Sequence, residues 1–246
     1  METGDADQRR LYELLWGTPR EPRRGPRPTL TLAAIARAGI TIADAEGLDG
    51  LTMQRVAESL DVTKMALYRY VPGKAELVAL MLEAAMGEPP PPPEGADWRS
   101  QLDDWARQLF DRFRRHPWAH AVTVGPRLPG PNELAWLERV VTALTDTGLT
   151  GDEQLDVAVL LIGHARNLAQ HAPPTDAPGL SQEAGFAALL RGREERFPAL
   201  TAALRSARGD GDQALDFGLA RILDGIQALI TARAGGHPVV VAESSL

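Results

Sequence analysis

Lys64, Met65, Tyr68, Arg69 and Tyr70 fall within residues 64–70, where Leu67 is the side chain shaped for burial. If that stretch is helical, it presents a cationic and aromatic surface about two turns long. Such a surface suits duplex DNA. A short helix held up by a turn fits the major groove, its first residues at base edges and its flanks on phosphates. Lys64 can donate to guanine acceptors, Arg69 to a base or a phosphate, and Met65, Tyr68 and Tyr70 can touch thymine methyls. A surface helix that merely carries a Lys and an Arg has the same composition, so order and spacing must decide.

Positioning that surface takes at least three further elements. Thr52 is placed to cap a helix in which Met53, Val56, Ala57 and Leu60 fall at i, i+3, i+4 and i+7, one apolar stripe. Asp61-Val62 makes a turn, Thr63 caps a second helix over 64–70, and Pro72-Gly73 stops it. In front lies a helix over 31–47, with Ile35, Ala38, Ile42 and Ala45 on one face and Gly47 ending it. Behind lies a helix over 74–86, with Leu77, Leu80, Met81 and Ala84 inward. Lys74 at its start suits a phosphate, which a helix N-terminus also favours. Thr52, Gln54, Arg55 and Lys74 therefore join Lys64, Met65, Tyr68, Arg69 and Tyr70 as the expected DNA-binding residues.

The order of residues is more specific than the pattern. Ala45-Glu46-Gly47-Leu48, Leu51-Thr52-Met53-Gln54-Arg55-Val56-Ala57, Leu60-Asp61-Val62, Ala66-Leu67-Tyr68-Arg69-Tyr70-Val71 and Gly73-Lys74-Ala75-Glu76-Leu77 follow one another almost without a gap. Residues 30–85 thereby closely resemble the N-terminal DNA-binding domain of tetracycline-repressor-type (TetR) transcriptional regulators. The family usually has Gly where Asp61 stands and Phe or His where Tyr70 stands. The resemblance implies an all-α chain: a helix-turn-helix DNA-binding head, then a helical ligand-binding and dimerisation body. It further implies a homodimeric repressor that leaves a palindromic double-stranded operator when a small organic effector binds the body.

Composition is compatible with that reading. The 246 residues carry a net charge of −7, unevenly spread. Residues 8–75 hold 11 basic against 7 acidic side chains, and residues 87–246 hold 15 against 21. A basic head on an acidic body presents one end to a polyanion. With no cysteine, disulfides, thiolate catalysis and cysteine-based zinc sites are excluded. No apolar run approaches the ~18 residues of a membrane span. Arg23-Arg24 lacks the hydrophobic region of an export signal, so the expected location is cytoplasmic.

Residues 1–28 read as a flexible basic extension. A Leu11, Leu14, Leu15, Trp16 patch suggests one helical turn folded back on the body, and 18–28 interleaves four Arg with four Pro. That arm suits a minor groove, or is simply a solvated tail. The DNA-binding domain spans 29–86. Residues 87–96, with five consecutive prolines, form a semi-rigid linker. Residues 97–236 form the helical body, and 237–246 a tail.

Helices are expected over 98–115, 132–147, 152–171, about 182–207 and 212–234. In the last, Leu215, Leu219, Ile222, Ile226 and Leu229 step by fours and threes, with Gly218 and Gly225 beside them. The resemblance assigns these seven to a dimer interface; ordinary packing within the chain fits the same pattern. His164, Asn167 and His171 share one face of an apolar helix and suit a hydrophobic ligand pocket walled by Trp105, Phe110, Phe113 and Trp136; satisfied polar groups at a helix end or dimer interface, and plain aromatic core, fit the same spacing. His116 and His120 have Pro117 between them and no third ligand, so no metal is expected. No nucleophile elbow, phosphate loop, dinucleotide fingerprint or paired carboxylate appears, and neither catalysis nor a cofactor is expected. Two rival readings are a helical carrier or enzyme with a vestigial head, and a DNA-binding protein without an effector.

Overall fold

The computed structural model describes residues 2–17, 30–125, 127–171, 185, 188–207 and 213–235. The helices discussed below are α1 (Glu2–Trp16), α2 (Leu32–Gly50), α3 (Met53–Ser59), α4 (Lys64–Tyr68), α5 (Lys74–Met86), α6 (Trp98–Arg115), α7 (Ala119–Val122), α8 (Pro131–Leu144), α9 (Gly151–His171), α10 (Pro198–Ser206) and α11 (Ala214–Ala234). The basic arm at 18–28, the 173–179 loop and the 237–246 tail lie outside the described residues.

Three helices of the head start in the same way. The hydroxyls of Thr31, Thr52 and Thr63 accept from the amides of Ala34, Arg55 and Ala66 at 3.1, 3.2 and 3.1 Å. Each cap satisfies a donor that the first turn leaves free, worth about 1 kcal/mol. The α2 backbone breaks at Gly47, where φ is 72°, a region that favours glycine.

The buried face of α2 differs from the expected one. Ile35, Ala36, Gly39 and Ala43 are buried, Ala38 and Ile42 only partly, and Ala45 is exposed. The cause is steric. A Cβ at Gly39 would lie 2.6 Å from the Met81 sulfur, so α2 turns its small residues toward α5 to let the two helices meet. Helix α5 buries Leu77, Leu80, Met81, Leu82, Ala85 and Met86, because it packs against α1, α2, α7 and α8; Ala84 is exposed rather than inward.

The N-terminal segment is also corrected. Residues expected to be a flexible extension with one helical turn form the 15-residue helix α1, which packs on α5. Leu14 reaches the core, Tyr12 stacks on Trp16 at 6.1 Å, and Trp16 Nε1 donates to the Pro129 carbonyl at 3.1 Å. An i, i+4 aromatic pair and a long-range indole hydrogen bond hold the helix down where local propensity alone would not.

Head and body share one core. Buried side chains from Leu30 to Ile226 form a continuous cluster across residues 87–96, so that stretch does not hold two independent cores apart. Gly87, with φ 56°, stops α5, and its carbonyl accepts from Trp136 Nε1 at 2.9 Å. The Trp105 indole meets Trp136 edge-on at 5.7 Å and donates to its carbonyl at 2.9 Å. In the body α6 packs chiefly along α9, α8 lies against both, and α11 lies on α9 and α6.

Gly218 shows how close α11 comes to α9. A Cβ built there would overlap the His164 imidazole, whose Nε2 lies 3.5 Å from the Leu215 carbonyl. Gly218→Ala is therefore expected to destabilise the fold by roughly 1–3 kcal/mol through overpacking. Denaturant unfolding checks it, with His164→Ala as the second arm: in its background, Gly218→Ala should cost nothing. Equal cost in both backgrounds would place the strain elsewhere.

Candidate nucleic-acid interface

Leu67 and Val71 are fully buried and seat the short α4 on the head. The turn before it closes with Val62 N donating to the Ala57 carbonyl at 3.0 Å and Asp61 at φ 53°, the one non-glycine residue with positive φ among the described residues. That conformation is why glycine is the usual family choice there; an Asp side chain tolerates it better than most. Helix α4 is shorter than the expected 64–70. Tyr70 N and Val71 N both donate to the Leu67 carbonyl, at 2.9 and 3.0 Å, and the chain turns away, leaving Arg69 and Tyr70 at the exit.

What α4 leaves outside is the expected surface. Met65 is 74% exposed, while Tyr68 and Tyr70 are at 37% and 38%. Lys64 and Arg69 are exposed as well, and the Lys64 ammonium lies over the Tyr68 ring, 5.7 Å from its centroid. A cation parked on an aromatic face is held at modest cost and released easily. The geometry can present a hydrogen-bond donor, an aromatic edge and a thioether methyl to base edges, with a guanidinium on the flank.

The α3 residues divide differently. Thr52 is exposed, but its hydroxyl is used by the cap. Gln54 is exposed and donates to Glu58 Oε1 at 2.7 Å, a bond that breaks without burying anything. Arg55 departs from expectation. Its guanidinium forks onto both oxygens of Glu46 and donates to the Gly50 carbonyl at 2.8 Å. The hydrogen bond to Glu46 raises the Arg55 pKa, and the same bond lowers that of Glu46. Arg55 is thus engaged in stapling the kinked end of α2.

Lys74 shares that duty, its ammonium donating to the Leu48 carbonyl at 2.9 Å. It nevertheless lies exposed at the start of α5, where backbone N–H groups favour an anion. Lys74→Ala is expected to weaken binding to every duplex alike and to flatten the plot of log affinity against log salt by about one unit. Anisotropy titrations at several salt concentrations measure it. An unchanged slope would leave Lys74 a staple and nothing more.

The body's expected pocket residues are divided between core and surface. Trp105, Phe113 and Trp136 are core side chains, with both indole N–H groups donating to backbone carbonyls. Phe110 is partly buried beneath the Arg114 guanidinium, 5.8 Å from its centroid. His164 is wedged against Gly218, whereas Asn167 and His171 are exposed, His171 Nδ1 lying 2.7 Å from the Asn167 carbonyl. The three polar residues share a helix but not a depth. His120, whose spacing from His116 offers no metal site, lies on α7, where burial, then Arg166 and His171, hold its pKa below the ordinary histidine value. Spacing within one helix gives no signal for a group contributed by another.

The seven residues expected at a dimer seam mostly serve the chain itself. Leu219 and Ile226 are buried in the core, Leu215, Ile222 and Leu229 pack against it, and Gly218 meets His164. Of the two glycines, Gly225 is the one with open space around its Cβ position. The exposed apolar residues of these two helices are others: Leu155, Val159 and Leu160 on α9, and Phe217 on α11. The α11 helix carries apolar residues on two sides, and the sequence does not say which side faces its own chain. Among the described residues no group of three His, Asp or Glu side chains is placed to hold a metal.

Residues 35–81 match the model of bacterial regulatory proteins of the tetR family, and 90–230 match the tetracyclin repressor-like C-terminal domain. The transcriptional repressor DrrR1 of Streptomyces coeruleorubidus is 37% identical over 244 residues, 95% of this chain and 90% of that protein. Apo ActR of Streptomyces coelicolor superposes with a TM-score of 0.69 at 28% identity, over 84% of this chain and 99% of its own. ActR in complex with actinorhodin gives 0.68 at 28% identity, over 82% and 97%.

Proposed function

The chain belongs to the tetracycline-repressor (TetR) family of transcriptional regulators, and on that premise we propose a dimeric repressor that a small organic ligand releases from a palindromic operator. The observation that carries the DNA side is α4: a helix whose inner side is anchored by Leu67 and whose outer side offers Lys64, Met65 and Tyr68. Its capping threonines and stapled α2 kink keep the head intact, which a vestigial head would have no need to do.

The dimer follows from recognition. One short helix reads too few base pairs to be selective, so two must act together on half-sites about one helical turn apart. The exposed apolar residues of α9 and α11 supply a surface for that pairing. On the ligand side, support comes from ActR, which has been solved with actinorhodin. A ligand shifts the head only by its difference in affinity between the two states. Among the described residues no helix is long and apolar enough to cross a membrane, and the proposed place of action is the cytoplasm.

Fluorescence anisotropy of the DNA flanking the chain's own gene, beside a scrambled duplex at several salt concentrations, tests the reading. Tight, selective and salt-dependent binding is the expected result. Equal weak binding to both duplexes counts against an operator there.

A further inference from the structure

The head meets the body along two lines of very different strength. The first is α5, which packs on α8 and α7 and whose Ala85 carbonyl accepts from Arg112 Nη1 of α6 at 3.3 Å. Glu83 accepts from the Asn132 amide at 2.7 Å through Oε1 and from Asn132 Nδ2 at 3.0 Å through its carbonyl; Trp136 holds Gly87. Burial raises the Glu83 pKa, and its Oε2 lies buried without a hydrogen-bond partner against Gly130, where a Cβ would overlap it. Leu80, Leu82 and Met86 of the same helix are buried, so freeing α5 would expose apolar surface.

The second line is one carboxylate. Asp44, on the outer side of α2, accepts from Trp118 Nε1 at 2.7 Å and lies 2.9 and 3.1 Å from His116 Nδ1 through its two oxygens. His116 and Trp118 flank Pro117 in the turn from α6 to α7. His116 N also closes the last turn of α6 by donating to the Arg112 carbonyl at 3.0 Å, so this turn travels with α6. The main packing partners of α2 are α5 and α3 of the head itself. The Asp44 side chain is 33% exposed against 12% for His116, so water can replace its partners when the contact opens.

We propose that Asp44 is a releasable latch: a positioning residue through which α6 of the body sets the orientation of the DNA-binding head. With the latch closed, the head is fixed at both lines. Opened, it swings about the α5–α8 joint, and the two recognition helices of a dimer lose their fixed spacing. A displacement of α6, which lies along α9, α8 and α11, reaches the head at this carboxylate and where Arg112 Nη1 donates to the Ala85 carbonyl at 3.3 Å. The proposal rests on the repressor reading for its consequence on DNA, but not for its geometry.

The absence of cysteine makes the test direct. Arg37→Cys and Glu138→Cys place one spin label on exposed α2 and one on exposed α8 of the full chain, diluted into an excess of unlabelled chain. Pulsed dipolar spectroscopy should give one narrow head-to-body distance. Asp44→Ala is expected to broaden or displace it with helix content unchanged, and His116→Ala to do the same. The double variant should go no further than either single one, as residues sharing one contact do. Asp44→Asn, which keeps an oxygen for Trp118, should fall between. A distribution as narrow and as placed as the parent's in Asp44→Ala, or additive effects in the double variant, overturns the latch. On the duplex flanking the gene, Asp44→Ala should bind about tenfold more weakly at unchanged salt slope, the size of one charge-assisted hydrogen bond. Unchanged affinity would deny the latch any role on DNA. If the parent chain itself shows no selective binding, the repressor reading fails while the distances still decide the latch.

Discussion

Val159→Glu combined with Phe217→Glu is expected to leave the chain folded but monomeric, and to abolish tight binding to its operator. Both side chains stand out from single-chain packing, at 66% and 67% exposure, so neither substitution removes a core contact. In a two-fold dimer each new carboxylate appears twice in one self-complementary patch. Desolvating unpaired charges costs several kcal/mol each, more than a standard interface has to spare. Loss of pairing then removes one of two half-sites from the complex, and affinity should fall by orders of magnitude rather than by a factor of two. Sedimentation velocity and anisotropy measure the two effects separately. Leu219→Glu and Ile226→Glu form the contrast: these positions lie inside the chain's own core, and charges there should unfold it. A persistent dimer of the first variant would move the interface away from α9 and α11.

The second large effect concerns discrimination. Lys64→Ala and Tyr68→Ala should each cost on the order of 1–3 kcal/mol at the cognate site, with far smaller losses on random duplex. Neither side chain is buried, so the fold has little stake in them. Because the Lys64 ammonium lies over the Tyr68 ring, the two losses should not simply add. Removing the ring frees Lys64 from its resting place, and part of the Tyr68→Ala cost is the ordering of a lysine that the ring no longer guides. Equal losses on cognate and random DNA would make both residues positioning contacts on the backbone. Competition titrations with single base-pair changes in the operator tell these outcomes apart.

The head was largely legible in the sequence because its signals are local. Threonine before an apolar stripe, glycine at a helix stop and Pro-Gly after α4 each act within one turn, and the Thr52 and Thr63 caps stand where spacing put them; the Thr31 cap has the same local logic. Even Asp61 was flagged, as a departure from glycine, before its φ gave the reason. The candidate site was half legible. That Lys64, Met65 and Tyr68 face outward follows from Leu67 facing in, but Arg55 is engaged by Glu46, nine positions away, which no helical period anticipates. The body was legible as helices and not as surfaces. Leu219 and Phe217 are both apolar and two residues apart on α11, yet one is buried and the other exposed. Which side meets α9 depends on Gly218 admitting His164, a contact between helices far apart in the chain. Asp44 illustrates the same limit, since both its partners lie more than seventy positions away.

Helix α4 hangs on little. It has five residues, one buried side chain and a threonine cap, while its neighbours α2 and α5 are buried over several turns. Helices this short do not persist alone in water, so its opening free energy should sit near the bottom of the molecule's range. In amide hydrogen exchange, 64–70 would then exchange early in the free chain and slow sharply on the operator, well before 32–46 changes at all. The element that reads the sequence is in that sense completed by the sequence it reads: part of the binding free energy goes into closing a helix that the protein leaves ajar.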